Sequence, residues 1–312
     1  MIEFIHKPVL LEQAVHWLLS NGGKYFVDGT LGGGGHTEKI LQSGDEYEVL
    51  GLDCDRVALQ ATCKRLEEYS TRLFMVKTHF SKMAEAVEEK GWTGKVDGVL
   101  LDIGVSSPQI DTPERGFSFR FDAPLDMRMD RESPITASVI LNTYGEEQIA
   151  NILYNYGEER CSRRIAKAVV ERRLIKPWAR TGEFAELLEK IVGRSHQHGL
   201  PAATRSFQAL RIAVNHELDE LKNGLDAAYQ VLKPGGILVV ISFHSLEDRV
   251  VKKYLRYGAA ECVCPPGLPI CVCGKVKTWK ILTRKPVTAE LDEVCENRRA
   301  GCAKMRVGQK IV

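Results

Sequence analysis

Val27-Asp28-Gly29-Thr30-Leu31-Gly32-Gly33-Gly34-Gly35-His36-Thr37 is the stretch that decides the fold. It follows a short apolar run, Tyr25-Phe26-Val27, and leads into residues of helical character from about Thr37. Glycines let a backbone take positive φ and approach a ligand closely. A glycine-rich turn from strand to helix, at the carboxyl edge of a parallel sheet, is where nucleotides bind. Four consecutive glycines also carry a large unfolded-state entropy, which argues against a turn of purely structural purpose.

The flanking sequence alternates strand and helix. Pro8 to Leu19 reads as an amphipathic helix with Val9, Leu10, Ala14, Val15 and Leu18 on one side, stopped by Asn21-Gly22-Gly23. Tyr47 to Leu52 reads as a second strand ending in Asp53, residues 56–69 as a helix, and Leu73 to Val76 as a third strand. Met83 to Lys90 reads as helical, and Val96 to Leu101 as a fourth strand ending in Asp102. Alternation at this spacing implies right-handed βαβ units and a parallel sheet.

The alternation then breaks. Residues 107–135 are rich in Pro, Gly, Asp and Arg and show neither a period of 2 nor one of 3.6. Irregular segments of that length are functional or disordered, and Phe117, Phe119 and Phe121 argue against disorder. From about 136 to 200 the chain reads as helical and basic. Cys161, Ile165, Ala168 and Val169 form an apolar stripe there, beside a stripe of Arg160, Arg163, Arg164 and Lys167. A long helix is predicted from about Thr204 to Leu232, ended by Lys233-Pro234-Gly235-Gly236. Ile237 to Ile241 reads as a fifth strand, with Trp279 to Arg284 and Met305 to Val312 as closing strands. The expected architecture is α/β: a doubly wound, mostly parallel, Rossmann-like sheet carrying an inserted helical domain. Its expected divisions are residues 1–109, an insert of 110–203, and 204–312.

Composition is that of a globular chain, since 44% hydrophobic and 27% charged residues exclude a disordered or collagen-like protein. No apolar run is long enough to span a bilayer, and the first residues lack a signal-peptide pattern. A cytoplasmic protein without a membrane partner is expected. Net charge is only +2, yet residues 156–215 hold twelve basic and six acidic side chains. That segment is +6 and the remainder −4. A local basic surface on a near-neutral protein suits a polyanion, although such a stripe is also what a solvated helix face looks like.

The chemistry sits in the loops that follow the strands. The dinucleotide fingerprint fails, because the sixth position is Thr37 counted from Gly32 and Glu38 counted from Gly33. Asp28 precedes the loop instead, where a carboxylate suits a cofactor bearing a sulfonium and an ammonium rather than a pyrophosphate. Asp53, nineteen residues after Gly34, stands where an acid accepts ribose hydroxyls. Asp55 competes for that role, and either acid is equally a helix cap. Phe80 is placed to lie against an adenine or in the core, with Ser81 as a helix N-cap. Asp102-Ile103-Gly104-Val105-Ser106-Ser107-Pro108-Gln109 stands where enzymes that methylate amines place oxygen acceptors, yet it lacks their Pro-Pro-aromatic pattern. Asp102, Ser106 and the Pro108 region are the candidate acceptors of amine protons. In Ser242-Phe243-His244-Ser245-Leu246-Glu247-Asp248-Arg249, Ser245 and Asp248 resemble a capping box, and His244 is a candidate to touch substrate or take a proton, or a structural histidine.

Nine cysteines in a cytosolic chain argue against a disulfide framework. Cys54, Cys63 and Cys161 read as ordinary core or helix positions. Cys262-Val263-Cys264 and Cys271-Val272-Cys273 are two C-x-C pairs separated by six residues. They fit a structural thiolate site or a loop of reduced thiols, and their spacing departs from the usual C-x₂-C knuckle. No metal ligand is assigned from the sequence.

Taken together these segments resemble the bacterial 16S ribosomal RNA (cytosine-N4) methyltransferase family. The resemblance rests on HKPVLLE at 6–12, DGTLGGGGH at 28–36, DIGVSSPQ at 102–109, ERGFSF at 114–119, PLDMRMD at 124–130, YGEER at 156–160, PAATRSFQALRI at 201–212 and SFHSLEDR at 242–249. It implies a seven-stranded methyltransferase sheet with S-adenosyl-L-methionine as cofactor. It also implies methylation of the N4 amine of one cytidine in 16S rRNA of the small ribosomal subunit. Carried over by position, Gly34, Gly35, His36, Asp53, Phe80, Asp102 and Gln109 would bind the cofactor. Arg160, Arg163, Arg164 and Lys167 are the candidate RNA contacts. A nicotinamide dehydrogenase shares the fold but requires the fingerprint that fails here. A non-catalytic RNA-binding protein leaves the acids after strands one, two and four unexplained, and a DNA amino-methyltransferase should carry a better Pro-Pro-aromatic loop.

Overall fold

A computed structural model describes residues 8–193, 201–265 and 271–312. His6 and Arg194, which entered the sequence reading, lie outside the described residues. The strands are β1 (Tyr25–Asp28), β2 (Glu48–Asp53), β3 (Leu73–Lys77), β4 (Val96–Asp102), β5 (Leu232–Ser242), β6 (Trp279–Ile281) and β7 (Lys304–Lys310). The helices are α1 (Leu11–Leu19), α2 (Gly35–Gln42), α3 (Arg56–Arg65), α4 (Met83–Glu89), α5 (Ser107–Asp111), α6 (Ala137–Thr143), α7 (Glu146–Gly157), α8 (Ser162–Arg173), α9 (Thr181–Val192), α10 (Ala202–Asn215), α11 (Glu217–Val231), α12 (Ser245–Ala259) and α13 (Leu291–Glu296).

The chain divides into two compact units, Met1–Gly104 with Leu218–Val312, and Val105–Glu217. These divisions fall at 104/105 and 217/218, against the 109/110 and 203/204 read from sequence. The second shift has a packing cause. Phe207, Leu210 and Val214 of α10 are buried in one cluster with Ile149, Leu153 and Ile165 of α7 and α8.

The first unit holds a seven-stranded sheet in the order β3-β2-β1-β4-β5-β7-β6. Strands β1 to β5 pair in parallel, and β7 is antiparallel to both β5 and β6. Continuous apolar strands suit a parallel sheet covered on both faces, and Val96 through Leu101 are all buried. One face packs Leu52, Val99 and Val240 against Leu221 and Leu225 of α11. The other packs Phe26, Val49 and Val239 against Ala14 and Leu18 of α1. Chain order reverses across β1 and β4, which opens a ligand crevice at the carboxyl ends of those strands.

Several element boundaries differ from the sequence reading, and three of the differences have a plain backbone cause. Helix α1 starts at Leu11 rather than Pro8, because Leu10 is left-handed at φ 55°. The predicted helix 204–232 is two helices, because His216 is left-handed at φ 50° and ends α10. Strand β5 begins at Leu232, since Val96 pairs with Leu232 and Gly98 with Ile237, which leaves 233–236 as a bulge.

The second unit has its own core, in which Trp178 meets Phe184 edge-on at 5.8 Å and donates through Nε1 to the Val169 carbonyl. The buried stripe of α8 is Ser162, Ile165, Ala166 and Val169, at spacings of three and four. Ala166 therefore replaces the predicted Ala168, and Ser162 the predicted Cys161. The irregular stretch before α6 is ordered by long-range side-chain to backbone bonds. Arg115 donates to the carbonyls of Arg128 and Met129, each at 2.9 Å. Met127, left-handed at φ 65°, is fully buried. Its carbonyl accepts from Asn215 Nδ2 at 2.8 Å, and Asn215 Oδ1 accepts from the Met129 N–H at 2.7 Å.

Asn215 is thus the clasp of this loop. Removing one partner of a buried hydrogen bond costs about 1–3 kcal/mol, so Asn215→Ala should lower unfolding stability by about that amount. Urea titration of the full chain measures it, and an unchanged midpoint would show that the loop is held by other contacts.

Candidate active site at the carboxyl edge of the sheet

Three neighbouring strands end in acids: Asp53 on β2, Asp28 on β1 and Asp102 on β4. Asp28 is level with Gly51 on one side and Leu100 on the other. Asp53 and Asp102 therefore project two residues beyond it, about 7 Å at the rise of a strand. Asp28 forms the floor between two projecting carboxylates.

The glycine loop is built on these acids. Asp28, buried, accepts from Thr37 Oγ1 at 2.7 Å and from the Thr30 N–H at 3.2 Å. Asp53 accepts from the Gly32 N–H at 2.8 Å through one oxygen and from the Asp55 N–H at 2.8 Å through the other. Thr30 Oγ1 accepts from the Asp102 N–H at 2.7 Å, which ties β4 to the same loop. Helix α3 braces it from outside, where Thr62 Oγ1 donates to the Gly32 carbonyl and Arg65 Nε to that of Gly33. Asp55 is the N-cap of α3, accepting from the Val57 N–H at 3.0 Å. Asp53 thus engages the loop, while Asp55 caps the helix that braces it.

The glycines divide by purpose. A Cβ on Gly34 would meet Thr62 Cγ2 at 2.6 Å, and Gly34 is also the left-handed N-cap of α2 at φ 74°. Packing demands that glycine. Gly32, at φ 49°, has nothing nearer than 3.7 Å from where a Cβ would stand. Its side of the loop is open for close approach by a ligand.

Several predicted site residues have defined partners of their own. His36 is buried, with Nε2 3.1 Å from the Val9 carbonyl and Nδ1 3.8 Å from Asp102 Oδ2. Its ring therefore joins the start of α1 to β4. Phe80 seats its ring against Gly224 of α11 and leaves part of its surface exposed. Ser81 caps nothing, because Phe80–Lys82 form a 3₁₀ turn and α4 begins at Met83 without a side-chain cap.

His244, a candidate proton acceptor, is instead the N-cap of α12. Its Nδ1 accepts from the Glu247 N–H at 3.4 Å, and Nε2 lies 3.0 Å from Glu247 Oε1. Glu247 Oε2 accepts in return from the N–H groups of Phe243 and His244. The capping box is one residue earlier than the predicted Ser245 and Asp248. Asp248 pairs with Arg306 of β7 through both carboxylate oxygens, at 2.6 and 3.2 Å.

In the other unit, Ser106 and Gln109 form a reciprocal capping box on α5, a turn that includes Pro108. Along α8, Arg163, Arg164 and Lys167 are exposed, as is Arg160 just before it. Arg160, Arg163 and Arg164 have no ion-pair partner among the described residues, whereas Arg172, Arg180, Arg205 and Arg211 each face an acid.

The electrostatics of the sheet edge are dominated by burial, which disfavours a charged carboxylate. Burial pushes the Asp28 carboxyl up to about 6, with the Thr37 and Thr30 bonds opposing the rise. Burial also pushes Asp53 up to about 6, opposed by the Asp55 and Gly32 N–H groups and assisted by the charges of Asp55 and Asp28. Asp102 is raised well above the ordinary carboxylate range, by burial first and then by Asp28 and Glu247. Asp102 Oδ1 is buried with no hydrogen-bond partner among the described residues. An orphaned buried carboxylate oxygen beside two raised acids fits a ligand bearing positive charge and N–H or O–H donors, which is the chemistry of S-adenosylmethionine. Thr30, Thr37, Thr62 and Arg65 were missed from sequence. Only the two threonines inside the loop carried a local signal, as hydroxyls among glycines.

The sequence profile of the MraW methylase family matches residues 3–311. The ribosomal RNA small subunit methyltransferase H of Heliobacterium modesticaldum is 48% identical over 310 residues, covering 99% of this chain and 99% of that protein. The proteins of the same name from Carboxydothermus hydrogenoformans and Brevibacillus brevis are 47% and 45% identical, each with 99% of both chains covered.

The raised acids set a pH dependence. A native acid titrating near 6, against 3.8 for an ordinary aspartate, binds protons more tightly folded than unfolded. Its contribution to folding is therefore full below about pH 4 and is lost as pH rises through about 6. Cofactor affinity has the opposite sign, because the ionised acids are the better acceptors. It should fall by up to about tenfold per unit below about pH 6. Calorimetric titration should also show that Asp53→Asn weakens binding at neutral pH and flattens the profile. A wild-type affinity constant from about pH 5 to 7.5 would mean that the acids bind in their neutral form.

Proposed function

The chain belongs to the MraW methylase family, and from that membership we infer that it is an S-adenosyl-L-methionine-dependent ribosomal RNA methyltransferase. Its reaction is transfer of a methyl group to the exocyclic N4 amine of a specific cytidine in 16S rRNA of the small ribosomal subunit. The observation that carries the cofactor assignment is the row of three acids on adjacent strand ends, with the buried Asp102 Oδ1 unpaired.

When bound, the cofactor supplies an electrophilic methyl on a sulfonium. Asp53, whose oxygens already hold the Gly32 and Asp55 N–H groups, would accept the ribose hydroxyls with its remaining lone pairs. Asp102 would accept N–H donors at the orphaned oxygen. Asp28 acts from beneath, fixing the loop and adding negative charge, since both its oxygens are engaged within the loop. The backbone at Gly34, Gly35 and His36, on the first turn of α2, lies where helix N–H groups have no partner within the helix. Phe80 offers the exposed part of its ring to the adenine, and Gln109 completes the assignment carried over from the family resemblance.

The acceptor amine is a poor nucleophile because its lone pair is delocalised into the ring. Oxygen acceptors for its two N–H bonds favour the pyramidal nitrogen, and positioning and electrostatics supply the remaining acceleration. Asp102, Ser106 or the Pro108 region is the candidate acceptor for that task. A base must leave its RNA stack for such chemistry. The exposed Arg160, Arg163, Arg164 and Lys167 are assigned to the flanking phosphates. Among the described residues no helix is long and apolar enough to cross a membrane. A ribosomal RNA substrate supports a cytoplasmic location.

The deciding experiment is methyl transfer from labelled S-adenosylmethionine to 30S subunits lacking the modification, followed by digestion and separation of nucleosides. Label should appear in N4-methylcytidine, and label in another nucleoside would overturn the cytidine assignment. Asp102→Ala should slow transfer on the order of 10²–10³-fold, the loss typical of removing a group that stabilises developing charge. Retention of the full rate would remove Asp102 from both binding and catalysis.

Charge reversal of Arg160, Arg163 and Arg164 should weaken RNA binding by at least about tenfold and reduce its salt dependence, because phosphate contacts release counterions. Cofactor affinity should not change. Equal loss of both would show that the stripe is structural.

A further inference from the structure

Between α12 and β6 the chain makes an excursion that the methyl-transfer site does not use. It leaves the end of α12 at Ala260 and returns where the Thr278 N–H donates to the Gly258 carbonyl at 2.8 Å. Its described side chains are poorly buried, with Val263, Val272 and Val276 among the exposed large apolar groups. Apolar packing therefore does not determine its shape.

Four cysteines converge within it. Cys271 Sγ lies 3.4 Å from Cys262, 3.5 Å from Cys273 and 3.9 Å from Cys264, and Cys273 lies 3.8 Å from Cys262. All four sulfurs lie within 4.8 Å of one another, and all are free thiols. A disulfide would need about 2.05 Å, so none of these pairs is bonded. The sulfurs of a tetrahedral tetrathiolate with metal–sulfur bonds of about 2.3 Å stand about 3.8 Å apart, close to the four separations of 3.4 to 3.9 Å above. Backbone donors point at the sulfurs as well. The Cys264 N–H approaches Cys262 Sγ at 3.3 Å, and the Val263 N–H approaches Cys273 Sγ at 3.5 Å. Such donors favour thiolate over thiol.

We propose that Cys262, Cys264, Cys271 and Cys273 form a structural Zn²⁺ site that fixes the loop between α12 and β6. Two C-x-C pairs each supply two ligands, and the five residues 266–270 between them lie outside the described residues. The coordination is closed, with four protein sulfurs and no open position, so the metal is structural rather than catalytic. Binding releases the four thiol protons and leaves a centre of formal charge −2. Lys275 and Lys277 stand beside it in sequence. The first has its Nζ 4.6 Å from the Tyr257 ring, and the second lies 3.6 Å from Glu261. A tetrahedral sulfur set selects zinc or iron over harder cations, and zinc is the assignment because it persists without a redox partner.

The test uses the full chain, purified under reducing conditions without a metal-affinity tag. Elemental analysis should give about one zinc per chain, as expected of one closed tetrathiolate site. The double variant Cys262→Ser/Cys273→Ser, which removes one ligand from each pair, should lose the metal while retaining S-adenosylmethionine affinity. Replacement by Co²⁺ in the wild-type chain should give the visible bands of tetrahedral cobalt with thiolate-to-metal charge transfer. This reports on the ligands even if the double variant fails to fold. Less than about 0.1 equivalent of zinc after anaerobic reconstitution would overturn the proposal. So would full zinc retention in the double variant, or cobalt spectra without the thiolate band.

Discussion

Burial of like charge is the constraint on which the sheet edge depends. Asp28, Asp53 and Asp102 occupy neighbouring strand ends, and the dominant influence on each is removal from water. Among the described residues, no lysine or arginine is a leading influence on any of the three. The chain instead answers with weak donors: two backbone N–H groups on Asp53, a hydroxyl and an N–H on Asp28, and a histidine nitrogen 3.8 Å from Asp102. N–H donors partly offset the desolvation of a carboxylate but do not neutralise it. Positive charge is left for a ligand to bring, so a cationic cofactor is favoured over a pyrophosphate, which these same acids would repel. A ligand that binds only the folded state also stabilises it, so the cost of burying these acids is coupled to cofactor binding.

That constraint explains why the loop is more than a run of glycines. The acids fix its ends, Thr30 ties it to β4, and α3 holds its carbonyls from outside. With both ends pinned, the glycine that packing leaves open is Gly32. The sequence argument from glycines to a ligand is therefore strongest at Gly32 and weaker at two others, because Gly34 is already required by the approach of α3 and Gly35 by Pro8.

What could be read without coordinates was whatever depends on neighbours in sequence. Apolar runs ending in Asp28, Asp53 and Asp102 are local patterns, and they located the strands and the three acids. The cytosine methyltransferase resemblance extended that to the family, whose profile spans residues 3–311. Features set by distant partners were not legible. Met127 is held left-handed by Asn215, 88 residues away, so the segment before α6 showed no period although it is ordered. The break at His216 was hidden because apolar spacing continues through it from Val214 to Leu218 and Leu221. The cap of α12 was misread by one residue for a simpler reason. Ser245 is a common cap residue and His244 a rare one, and only the reciprocal bonds with Glu247 distinguish them.

The cysteine loop and the sheet edge pose the same physical problem at different places in the chain. At the edge, the core brings acids together, and the packed layers on both faces of the sheet hold them there despite their repulsion. In the described part of the loop between α12 and β6 the large apolar side chains Val263, Val272 and Val276 are exposed, so no such core gathers the thiols. Thiols can be gathered without penalty while protonated, but nothing in apolar packing would gather four of them. Convergence of four sulfurs in an exposed loop therefore needs an attraction of its own, and a shared cation provides it by exchanging thiol protons for metal bonds. The acids tolerate an absent ligand because the fold positions them regardless. The thiols have no comparable support, so metal and loop conformation should be gained and lost together.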